Sequence, residues 1–134
     1  MKRVFVDTSA WYAYVRADDP AHSAVKACLQ DWEGRLVTSN FVFDETVTLI
    51  RARAGHASAL RVGAALRNPG VVDLVRLDSE DEEDAWAFFQ RHKDKAFSFT
   101  DCASFALMRR LRLHLAVSTD RHFRQAGFDV EPAA

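Results

Sequence analysis

The chain has 134 residues, 49% of them hydrophobic, and 18 Lys and Arg against 19 Asp and Glu give a formal net charge of −1. That size suits one domain, residues 1–134, with a core of its own, and the even charge balance excludes a global basic field, so any nucleic-acid surface must come from local Lys and Arg placement. Cys28 and Cys102 form neither a disulfide framework nor a zinc pattern, and no apolar run approaches a signal peptide's or the ~20 residues of a membrane span, so a soluble cytoplasmic protein is expected.

In chain order, Arg3 to Val6 is a short β-branched run that ends at Asp7, with a helical pattern of Trp11, Tyr12 and Val15 beyond it. Trp11 and Val15 are expected in the core, with Tyr12 more exposed. Asp19 as N-cap and Pro20 at the first helical position predict a helix reaching about Trp32, ended by Gly34. Leu36 to Thr38 reads as a second strand, leading through Ser39 and Asn40 into a helix that carries Glu45 and closes at Gly55. A helix over His56 to Leu66, a turn at Asn68, Pro69 and Gly70, and a strand over Val71 to Leu77 follow. Helices over Glu80 to Lys93 and Asp101 to Leu111, a strand over Leu115 to Ser118 and a short strand near Val130 complete the chain. Alternating strands and helices predict an α/β fold, a mostly parallel central sheet flanked by helices.

Four acids stand out because this architecture delivers them to one rim. Ligands of open α/β sheets gather beyond the carboxyl ends of the strands. Asp7 closes the first strand, Asp120 follows the strand at Leu115, and Glu45 and Asp101 lie on helices that should pack beside them. Each has an ordinary reading as a cap or turn residue; their joint placement is what points to one site. The denser run Asp78, Glu80, Asp81, Glu82, Glu83 and Asp84 reads instead as a capped helix start, with Ser79 as N-cap and Glu82 three residues on.

Val4 to Ser9 and Thr38 to Thr46 closely resemble the first two acidic motifs of PIN-domain proteins, Phe97 to Ala103 the third and Ser118 to Phe123 the fourth. A single-domain chain of this size is similar to the VapC-type toxins of toxin–antitoxin pairs. The resemblance implies a metal-dependent endoribonuclease in which Asp7, Glu45 and Asp101 are the principal metal-site acids and Asp120 completes the quartet. Thr8, Ser98 and Ser118 are candidates for orienting carboxylates or waters. It also implies an RNA substrate, a cognate antitoxin and a homodimer.

The chemistry agrees with the residue types. Crowded carboxylates repel one another and would retain protons without a cation, and oxygen-only donors suit Mg²⁺ or Mn²⁺. None of the five histidines has a zinc-like partner spacing, and His122 reads as a surface or phosphate-facing residue. Hydrolysis by a metal-activated water would leave 5′-phosphate and 3′-hydroxyl ends. Arg16, Lys93 and Arg121 are candidates for holding substrate phosphates, beside Arg91, Lys95 and Arg124. Cys102 and Cys28 read as core residues, and Val25 and Leu29 on the second helix as part of an exposed docking face. The alternative from another class is a non-catalytic metal- or RNA-binding adaptor of the same fold.

Overall fold

A computed structural model describes residues 2–133. Its elements, in order, are β1 (Arg3–Val6), α1 (Thr8–Val15), α2 (His22–Asp31), β2 (Arg35–Ser39), α3 (Asn40–Ala54), α4 (His56–Leu66), β3 (Val72–Val75), α5 (Ser79–Arg91), α6 (Phe99–Leu111), β4 (Leu115–Val117), α7 (His122–Gln125) and β5 (Asp129–Glu131). The five strands form one sheet in the order β3-β2-β1-β4-β5, and every neighbouring pair is parallel.

That order contains a switch point. From β1 the chain builds outward through β2 and β3, then returns to lay β4 and β5 on the other side of β1. Loops leaving β1 and β4 therefore diverge, and a crevice opens where their carboxyl ends meet. The strands that frame it are dry: Val4, Phe5, Val6, Val37 and Ala116 are fully buried, as parallel strands covered on both faces require. Beneath the crevice, Phe105 meets Phe123 edge-on with ring centroids 5.1 Å apart, and Phe123 lies 6.2 Å from Phe5. Helix α6 is buried over eight consecutive residues, Asp101 to Met108, so its first turn is fixed by the core rather than by a mobile loop.

Several local expectations are corrected. Helix α2 begins at His22 with no side-chain cap, because the Asp19 carboxylate is spent on the Ala21 N–H at 2.8 Å within a preceding turn. It ends at Asp31. Gly34 does not stop it but lies where a Cβ would meet the Lys2 carbonyl oxygen at 2.2 Å, at the start of the β1–β2 ladder. The α5 capping box is shifted by one residue: Asp78 caps and Asp81 reciprocates, because Asp81 is also held by Arg110 of α6 at 2.8 Å. Val15 is 39% exposed rather than core, whereas Val25 and Leu29 are buried rather than a free face. Cys102 is fully buried as expected, but Cys28 is only half-buried, its thiol beside Glu131.

Candidate active site

Asp7 leaves β1 in an extended conformation and caps α1. Burial of a carboxylate is costly unless donors or cations repay it, and here the donors all gather on one oxygen. Oδ2 accepts from the Ser9 hydroxyl at 2.8 Å, the Ser9 N–H at 3.4 Å and the Ser118 hydroxyl at 3.2 Å. The two serine hydroxyls are 3.1 Å apart, and the Thr119 and Asp120 N–H groups donate to them at 3.0 and 3.2 Å. This web stitches the end of β1 to the end of β4.

Asp101 enters from α6. Ser98 caps that helix by accepting from the Asp101 N–H at 3.0 Å, and the Asp101 Oδ2 reciprocates toward the Ser98 N–H at 3.0 Å. The same Oδ2 lies 2.8 Å from the His122 Nδ1. Asp120, half-buried, accepts the His122 N–H at 2.9 Å and so folds its own turn. Ligand atoms of Asp101, Asp120 and His122 all lie within 4.8 Å of one another.

Electrostatics binds Asp7 and Glu45 to this group. Burial, then the charge of Asp120, push the Asp7 carboxyl up to about 7; Ser9 opposes the rise, and Asp101 and Glu45 add to it. Burial likewise raises Asp101, against the Ser98 backbone bond that lowers it, with Asp120 raising it further. The charges of Asp120, Asp101 and Glu45, from the β4–α7 loop, α6 and α3, thus all act on the Asp7 carboxyl at the end of β1. Asp101, Asp120 and His122 offer ligand atoms close enough together that they could hold a cation. The donor set fits a hard divalent ion: it is mostly oxygen, and in both Asp7 and Asp101 the hydrogen bonds among the described residues converge on Oδ2, sparing Oδ1 for coordination.

The supporting residues divide. The Ser118 hydroxyl and the Ser98 backbone N–H donate to site carboxylates, whereas the Thr8 hydroxyl accepts from Thr46 at 3.4 Å and ties α1 to α3 instead. Two contributors escape a reading of the sequence. His122 is not a surface or phosphate-facing residue but a partner of Asp101, brought there by the turn after Asp120; two residues from an acid is no metal-ligand spacing. Ser9 was visible only as a residue two positions after Asp7, the spacing of an Asx turn. Of the basic candidates, Arg121 adjoins Asp120 and is exposed. Arg16 is engaged by Asp18 at 3.2 Å and by the Arg53 carbonyl at 3.3 Å, and Lys93 lies in the turn after α5.

This arrangement has relatives. The chain is 38% identical over 130 residues to the 23S rRNA-specific endonuclease VapC20 of Mycobacterium tuberculosis, covering 96% of this chain and 98% of that protein. The crystal structure of that VapC20, described as a sarcin–ricin loop cleaving toxin, superposes with a TM-score of 0.89 over 93% of this chain and 95% of its own. Ribonuclease VapC26 of the same organism is 31% identical over 121 residues, 90% of this chain and 89% of that protein. The VapBC-1 structure from Haemophilus influenzae, 11% identical, shares the fold over 97% of both chains with a TM-score of 0.70. The PIN domain family model matches residues 4–129, and the chain belongs to the PIN domain family.

Proposed function

We propose that this protein is a divalent-metal-dependent endoribonuclease and the toxin of a toxin–antitoxin pair. The observation that supports the proposal is the grouping of Asp101, Asp120 and His122 within 4.8 Å, beside an Asp7 carboxyl that burial and the charges of Asp120, Asp101 and Glu45 push up to about 7. No acid of the quartet is missing, which favours catalysis over a non-catalytic adaptor. Asp7, Asp101 and Asp120 would hold Mg²⁺ or Mn²⁺, with Glu45 bordering them from α3. When bound, the ion supplies Lewis-acid activation of water and neutralises charge at the scissile phosphate.

The protein's own groups do the positioning. Ser9 and Ser118 fix the Asp7 Oδ2, while Ser98 and His122 fix that of Asp101, so neither carboxylate must reorganise when substrate arrives. Arg121, exposed and adjoining Asp120 in sequence, would meet a substrate phosphate, and Arg16 and Lys93 would be further supports for the strand. The products are RNA ends bearing 5′-phosphate and 3′-hydroxyl. Near-complete coverage by a 23S rRNA-specific relative extends the proposal to a structured rRNA loop as substrate. No helix among the described residues is long and apolar enough to cross a membrane, in keeping with action in the cytoplasm.

A cognate antitoxin is the second partner. An apolar groove of about 520 Å³ runs between α1, α2, α3 and α4, lined by Trp11, Val15, Leu29, Ile50, Leu66 and Val72. None of the four acids lines it, and its mostly apolar lining would receive the apolar face of an antitoxin helix. The test of the enzymatic reading is cleavage of purified rRNA by the free protein with Mg²⁺ or Mn²⁺, with chelator, and by Asp101→Asn. Discrete metal-dependent cuts absent from the variant are expected; equal behaviour of both proteins would overturn it.

A further inference from the structure

Among the acids of the site stands one side chain of a different kind. His122 begins α7, and its Nδ1 lies 2.8 Å from the Asp101 Oδ2 and 3.9 Å from the Asp120 Oδ1. In an octahedral shell with bonds of about 2.1 Å, neighbouring donors stand about 3 Å apart and opposite ones about 4 Å. The nitrogen and the two carboxylate oxygens therefore keep the spacings that ligands of one small divalent ion keep. Among the described residues no second histidine and no cysteine joins this group, so it is two carboxylates with one imidazole and not a zinc set.

The ring is held where it is from two sides. The His122 N–H donates to the Asp120 Oδ1 at 2.9 Å, and the next residue, Phe123, is fully buried with its ring edge-on to Phe105. On the other side the buried Phe97 ring meets the imidazole edge-on, with centroids 5.7 Å apart and planes 85° from parallel, and Phe97 packs in turn on Phe105 at 5.2 Å. Turning Nδ1 away from the acids would disturb this aromatic wall. In the metal-free protein Nδ1 and the Asp101 Oδ2 share a proton; a neutral imidazole carrying its proton on Nε2 instead presents the Nδ1 lone pair to the same point.

An imidazole nitrogen alters which ion the site favours. Mg²⁺ takes oxygen donors and keeps its waters, whereas first-row transition ions accept imidazole readily, and Mn²⁺ is the one among them that carboxylates also suit. We propose that His122 is itself a metal ligand through Nδ1 and that this nitrogen makes the site select Mn²⁺ over Mg²⁺. The proposal rests on the metal-dependent reading of the site and adds to it the nitrogen donor and the ion it favours.

Calorimetric titration of the full chain with Mn²⁺ and with Mg²⁺, joined to the electron spin echo spectrum of bound Mn²⁺, tests it without RNA. The wild type is expected to bind Mn²⁺ about tenfold or more tightly than Mg²⁺, and its bound Mn²⁺ to show modulation from an imidazole nitrogen. His122→Asn keeps an N–H donor near the Nδ1 position, toward Asp101, but offers no nitrogen lone pair. That variant, its fold checked by circular dichroism, should keep most of the Mg²⁺ affinity while losing the Mn²⁺ preference and the nitrogen modulation. A His122→Asn variant that keeps the Mn²⁺ preference would overturn the proposal and leave His122 as a positioning residue for Asp101. Wild-type Mn²⁺ bound without nitrogen modulation would overturn it too, with the nuclease reading still standing. A folded wild type that binds neither ion would overturn both.

Discussion

Replacing Asp7 by Asn removes one ionisable group while keeping the shape that the Ser9 and Ser118 hydroxyls engage. In the metal-free protein the Asp7 carboxyl is raised from 3.8 to about 7 by burial and by Asp120, so the folded state binds this proton more tightly than the unfolded chain does. Its contribution to stability is complete below pH 4 and is lost as pH rises through about 7. A shift of about three pKa units corresponds to roughly 4 kcal/mol between those limits, an upper bound because the site can relax or admit water. Urea denaturation with chelator at pH 5 and pH 8 should show the wild type losing stability toward alkaline pH. Asp7→Asn should lose much less, and at pH 8 should be the more stable protein although it cannot cut RNA. Saturating Mg²⁺ should flatten the wild-type dependence, since the cation replaces the proton. If wild type and Asp7→Asn show the same pH dependence without metal, the carboxylates are not packed as described.

Other consequences are equally specific. His122→Ala frees the Asp101 Oδ2 from its ring partner and should weaken Mg²⁺ or Mn²⁺ binding about 10- to 100-fold by titration calorimetry, with the fold unchanged by circular dichroism. Ser9→Ala removes the hydroxyl that holds Asp7 down, so the pH at which metal binding is half-maximal should move upward; no movement would refute Ser9's part. Asp81→Ala deletes both half of the α5 capping box and the carboxylate of Arg110, and should cost about 2 kcal/mol in chemical denaturation. Gly34→Ala, whose Cβ would strike the Lys2 carbonyl, should cost about 1–3 kcal/mol through the β1–β2 edge.

How far these features are legible in the sequence depends on whether their cause is local. The end of β1 is legible because Arg3 to Val6 is apolar and Asp7 interrupts it. The first turn of α6 is legible because Ser98 and Asp101 stand at capping-box spacing, and the parallel sheet follows from the alternation of elements. What decides the remainder acts between elements. Ser79 with Glu82 and Asp78 with Asp81 both satisfy a capping pattern, and Arg110, distant in sequence, selects the second. His122 joins the acids only once β4 lies beside β1. Val15 follows a helical apolar spacing yet faces an open groove, while Val25 packs inward from a helix whose polar residues do not announce it.

The central claim is that the four acids form one metal site that cuts RNA. The most direct measurement is mapping of new 5′ ends after incubating purified rRNA with the free protein and Mg²⁺ or Mn²⁺, beside chelator and Asp101→Asn. Discrete cuts bearing 5′-phosphate, abolished by chelator and by the variant, are the predicted result. Cuts that persist in chelator or in Asp101→Asn, or no cuts by a folded wild type that binds the metal, would contradict it.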